Sequence, residues 1–112
     1  MKQNLYEGMY IFTPTLSEDA RTKALEKVTS DIEAHGGTIE KVLDWGRRKL
    51  AYRINRHRDG YYYVVYFKVT PAAIEELRKE NRLNEDLLRD MMITTETVCE
   101  SLEFQPIGGG ER

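Results

Sequence analysis

Arg47, Arg48, Lys49, Arg53, Arg56 and Arg58 fall within one short run of the chain that contains no acid. Side chains of this kind at this density are a chemistry for phosphate: arginine offers a planar fork to two oxygens, lysine a point charge. The 112 residues as a whole carry 17 Lys+Arg against 19 Asp+Glu, a formal net charge of -2. Residues 1–46 hold 5 basic and 8 acidic side chains and residues 59–112 hold 6 and 11, so the three parts contribute -3, +6 and -5. Phosphate responds to local potential within a Debye length of roughly 8–10 Å. The total therefore excludes a protein that coats polyanions generally, and leaves a local nucleic-acid site open. A solvated hairpin loop that displays charge to prevent edge-to-edge pairing is the competing reading of the same run.

Other chemistry is sparse. His35, His57 and Cys99 have no metal-ligand spacing to one another, so no metal site is expected. Glu75, Glu76 and Glu80 read as the solvated face of a helix. No phosphate-cradling glycine loop occurs, nor a nucleophile with its base. Thr13-Pro14-Thr15 does not supply the anion-binding loop that an acylphosphatase would need. Neither catalysis nor a cofactor is expected. The single cysteine excludes an internal disulfide and a cysteine-based zinc site and suits a reducing compartment. No apolar run approaches the roughly 20 residues that span a bilayer, and Met1-Lys2-Gln3-Asn4 does not open like a signal peptide. A cytoplasmic domain with no membrane and no small-molecule substrate is the expectation.

The elements that must position the cations can be read from periodicity. Leu5 to Phe12 predicts a strand closed by Thr13-Pro14. Ser17 is a good N-cap for a helix with Ala20, Ala24, Leu25, Val28 and Ile32 on one face, ended by Gly36-Gly37. A long strand follows over Thr38 to Ile54, with Gly46 as a bulge. Asn55 to Gly60 is the expected turn, and Tyr61 to Val69 the next strand, with odd and even residues on opposite faces. Thr70-Pro71 caps a second helix that takes Ile74, Leu77 and Asn81 inward. A last strand spans about Leu88 to Thr95. Strand, helix, strand, strand, helix, strand with right-handed crossovers gives a ferredoxin-like α+β fold: a four-stranded antiparallel sheet with two helices on one face. Residues 1–95 form this domain and 96–112, with Gly108-Gly109-Gly110, a flexible tail.

Two helices cover only one sheet face. Tyr62, Val64 and Tyr66, with Met9 and Ile11, are too apolar for a face that simply meets water, which predicts a partner surface there. A folded-over tail or a homodimer is the competing reading of the same face. Gly60 to Tyr66 also echoes the aromatic strand of RNA-recognition motifs, but Asp59 stands where a basic residue belongs and Tyr62 where a small one does. Trp45 reads as packing beside the bulge rather than as a base-stacking residue.

Several strings together resemble one family. They are Tyr6-Glu7, Gly36-Gly37, the long run Asp44-Trp45-Gly46-Arg47-Arg48-Lys49-Leu50-Ala51-Tyr52-Arg53-Ile54, then Gly60-Tyr61-Tyr62, Glu76-Leu77, and Asn84 with Leu88-Arg89. Over residues 4–95 the chain is similar to bacterial small-subunit ribosomal protein six. The resemblance implies a structural protein of the 30S subunit, without catalysis or cofactor. It further implies binding to the central domain of small-subunit ribosomal RNA together with ribosomal protein eighteen. By matching position, Arg47, Arg48 and Lys49 fall in the family's basic strand segment, and Tyr6 and Arg89 near its RNA-facing edge. Arg53 stands where the family commonly has proline, and the Asn55-Arg56-His57-Arg58 turn is unusually basic. The RNA-binding candidates are thus Arg47, Arg48, Lys49, Arg53, Arg56, Arg58, Tyr6 and Arg89. The protein-contact candidates are Tyr52, Tyr62, Val64 and Tyr66. A free RNA-binding or dimeric regulatory module is the alternative, and sedimentation with small subunits separates the two.

Overall fold

Ser17 accepts a hydrogen bond from the Ala20 N–H at 3.1 Å, and Glu18 and Asp19 sit in the first turn beyond it. This cap and the favourable charge at the helix's positive end open α1 (Glu18–Ala34). In the computed structural model, which describes residues 2–54 and 56–96, the order is β1 (Asn4–Phe12), α1, β2 (Thr38–Ile54), β3 (His57–Val69), α2 (Ala72–Arg82) and β4 (Leu87–Thr94). The strands form one antiparallel sheet in the order β2-β3-β1-β4. This is the ferredoxin-like α+β arrangement expected from the sequence. Of the expected tail, only Glu96 falls within the described residues; 97–112, with Cys99, lie outside them.

The core lies between helices and sheet. Ala24, Val28 and Ile32 of α1 and Ala73, Ile74 and Leu77 of α2 pack with Tyr10, Phe12, Tyr63, Val65 and Phe67. Full burial of each large side chain stabilises by about 1.5–3 kcal/mol, which makes the alternation of β3 decisive. Its odd residues meet the helices, a choice that alternation alone left open because both faces of the strand are apolar. Glu80 departs from the expected solvated face: its carboxylate meets the His35 ring at 3.1 Å, tying α2 to the end of α1. Asn81, buried, donates to Asp90 on β4 at 3.2 Å.

Several boundaries shift, β1 beginning at Asn4 rather than Leu5. β3 begins at His57, because Ile54 pairs with His57 and Arg56 takes a φ of 71°, so the turn is tighter than Asn55 to Gly60. Pro71, not Thr70, is the N-cap of α2, with the Thr70 carbonyl accepting the Ala73 N–H at 3.0 Å. The last strand runs one residue earlier than predicted.

The larger correction concerns the face turned away from the helices. Tyr62, Val64 and Tyr66 are fully buried, so they offer no exposed partner surface. β3 is flanked on both sides. Val64 stands between Met9 of β1 and Leu43 of β2, and the Tyr66 hydroxyl donates to Glu7 at 2.7 Å. Tyr62 and Ile11 pack with Met9, Trp45, Leu50 and Leu88. Trp45 is therefore a packing residue beside the bulge.

Candidate nucleic-acid interface

The cations sit on the β2–β3 hairpin, which runs past the last β1–β3 pair, Phe12 with Tyr61. At Gly46 the register shifts and φ is +76°, a conformation that side-chain-bearing residues rarely adopt. The Gly46 N–H is held by the Asp44 carboxylate at 2.8 Å. A bulge increases local twist. Beyond it Leu50 packs into the same cluster as Leu88 of β4, and the hydroxyl of Tyr52 accepts a hydrogen bond from Arg89 of β4. The hairpin's free end thus curls over the face turned away from the helices.

All six cations of the run are exposed. They are not equivalent. Arg47 is bound by Asp59 through two hydrogen bonds, Nε to Oδ2 at 2.9 Å and Nη2 to Oδ1 at 3.4 Å. The Asp59 hydrogen bond and charge hold the Arg47 guanidinium above its ordinary value. Arg48 donates to the Trp45 carbonyl at 3.0 Å. Lys49, Arg53, Arg56 and Arg58 have no carboxylate at ion-pair distance among the described residues. These four carry the positive potential that can meet phosphate.

Two participants escaped the sequence reading. Asp59 lies just beyond the acid-free run, and the cross-strand register brings it to Arg47. Arg21, assigned to the polar face of α1, lays its guanidinium 3.8 Å from the centre of the Tyr61 ring and donates to the Tyr63 hydroxyl at 3.0 Å. Nothing near Arg21 in the sequence marks it. For Asp59, the alternation of the hairpin was the available signal. His57 meets Thr13 at 3.4 Å, far from the His35–Glu80 contact in the fold, and no cluster suited to a metal ion occurs among the described residues.

A basic hairpin on this sheet coincides with a known family. The family model described as ribosomal protein S6 matches residues 5–94. The chain belongs to the ribosomal protein S6 family. Small ribosomal subunit protein bS6 of Protochlamydia amoebophila is 51% identical over 105 residues, spanning 94% of this chain and 92% of that protein. Its counterpart from Chlamydia abortus is 60% identical over 100 residues, spanning 89% of each. The crystal structure of 30S ribosomal protein S6 from Thermotoga maritima superposes with a TM-score of 0.80 at 33% identity, covering 84% of this chain and 89% of that one. As an S6 protein the chain is a structural, non-enzymatic component of the small ribosomal subunit and acts in the cytoplasm, on the ribosome. No helix among the described residues is long and apolar enough to cross a membrane.

Within this S6 chain the remaining candidates separate. Tyr6, expected near an RNA-facing edge, is buried beneath the helices with its ring stacked on Phe67 at 5.8 Å, so it is a core residue. Arg89 and Tyr52, assigned to RNA and to protein respectively, touch each other. Tyr52 alone of the four protein-contact candidates is exposed. Met91 and Ile93 on the edge strand β4 are exposed apolar residues that the sequence reading left out.

Proposed function

We propose that the protein binds the central domain of small-subunit ribosomal RNA together with ribosomal protein eighteen, using the β2–β3 hairpin for phosphate contacts. The observation that carries this reading is the set of exposed cations on one hairpin of an otherwise acidic chain. Lys49, Arg53, Arg56 and Arg58 supply most of the charge, Arg47 and Arg48 flank them on β2, and Arg89 closes the site from β4. Phosphate contacts of this kind fix position on a folded RNA without reading its sequence. The protein neighbour finds its place along β4, where Met91 and Ile93 are exposed on a strand at the edge of the sheet.

The test is the salt dependence of binding to a central-domain fragment of the ribosomal RNA. About three phosphate contacts give a slope of log affinity against log salt of roughly -2 to -3. Neutralising Lys49, Arg53, Arg56 and Arg58 together flattens it. An unchanged slope moves the RNA site off this segment. Adding ribosomal protein eighteen raises the affinity; no gain removes it as partner.

A further inference from the structure

A groove of about 330 Å³ on the hairpin is lined by Leu50, Ala51 and Tyr52 and by Lys49, Arg53 and Arg58. Pockets for small ligands run from roughly 300 to 1,000 Å³, so this one suits a single small group. Tyr52 is the one aromatic residue among the described residues that is exposed, at 45%. Its ring is also held in place: the hydroxyl accepts from Arg89, whose guanidinium carbon lies 5.1 Å from the ring centre. A ring fixed before binding loses little freedom on binding.

Phosphates of a double helix need only charge, and their bases are stacked out of reach. A fixed, exposed ring beside three cations with no carboxylate partner matches a different ligand. Bases stack on aromatic rings while the adjoining backbone tracks positive charge. The geometry points to a pocket on the hairpin for one unpaired RNA nucleotide, its base against Tyr52 and its flanking phosphates among Lys49, Arg53 and Arg58. This rests on the RNA-binding function proposed above and specifies its ligand: a loop or bulge in preference to continuous duplex.

Fluorescence anisotropy with the full chain tests it, using labelled hexa-adenylate and an abasic ribose-phosphate hexamer of equal charge. Hexa-adenylate binds about tenfold tighter than the abasic strand, the effect of one stacked base. Tyr52→Ala brings the two to equal affinity, Tyr52→Phe preserves most of the difference, and the triple variant Lys49→Gln/Arg53→Gln/Arg58→Gln weakens both strands alike. A cooperative urea transition for each variant confirms that it is folded. Equal binding of both strands by the unaltered chain, with the triple variant still weakening both, overturns the pocket and leaves RNA binding by the hairpin standing. A triple variant that loses no affinity for either strand or for the ribosomal RNA fragment overturns both. If Tyr52→Ala leaves the difference between strands intact and lowers affinity for ribosomal protein eighteen instead, Tyr52 is a protein contact and the pocket is overturned.

Discussion

Arg89 and Tyr52 stand on the two edge strands of the sheet, β4 and β2, yet the Arg89 guanidinium donates a hydrogen bond to the Tyr52 hydroxyl. In the strand order β3 and β1 lie between them. The contact exists because the hairpin's free end curls across the sheet, and it fastens that end down. An exposed hydrogen bond contributes about 0.5–1.5 kcal/mol. Tyr52→Phe should therefore leave global stability within about 1 kcal/mol and speed amide hydrogen exchange in residues 50–54, with β1 unchanged. Exchange rates that stay equal along the hairpin would show that the contact does not fasten it.

Asp59 masks one of the hairpin's charges. Replacing it with asparagine keeps the side chain's shape and releases Arg47. RNA affinity should rise, and the salt slope should steepen by about 0.7–0.9, the value of one added phosphate contact. Filter binding across a salt series measures both.

Burial of Tyr62 beside Ile11 makes it a stability residue. Tyr62→Ala should cost about 3–5 kcal/mol, the usual loss for a truncated core aromatic, seen as a lower urea midpoint. Ile93→Asp, on the exposed edge strand, should leave that midpoint nearly unchanged and weaken binding of ribosomal protein eighteen.

Burial, reinforced by the charge of Asp90, pushes the Tyr10 hydroxyl far above its ordinary value. The neutral form is thus favoured in the fold. Its contribution is complete below about pH 10, where a free tyrosine titrates, and is lost as pH rises towards the folded value. Above about pH 10 stability should fall by up to about 1.4 kcal/mol per pH unit from this residue alone. Tyr10→Phe should flatten that decline in urea melts between about pH 9 and 11.5.

A methyl group at Gly46 would meet nothing within 4 Å, so any cost of Gly46→Ala is backbone strain at φ +76°. Left-handed geometry costs an L-residue about 1–2 kcal/mol. Thermal melts should show that loss, and Gly46→Asn should lose less, because asparagine tolerates the conformation.

What the chain alone determines here is local. The capped start of α1, the break at Gly36-Gly37, the bulge at Gly46 and the alternation of Tyr61 to Val69 each depend on neighbours a few residues away. So do the run of cations and the string that marks the family. Alternation says which side chains share a face; it does not say how much of that face neighbouring strands will cover. Two helices cover only one face of the sheet, so Tyr62, Val64 and Tyr66 read from the chain as a surface, while Tyr6 reads as an edge residue only through the family resemblance. The strand order puts β3 and β1 at the centre of the sheet, and all four are buried. The pairing of Arg47 with Asp59 depends on cross-strand register, and that of Tyr52 with Arg89 on the curl of a long hairpin. Partners 12 and 37 residues apart in sequence meet only once packing has chosen one arrangement, which is why the charge was legible from the chain and its disposition was not.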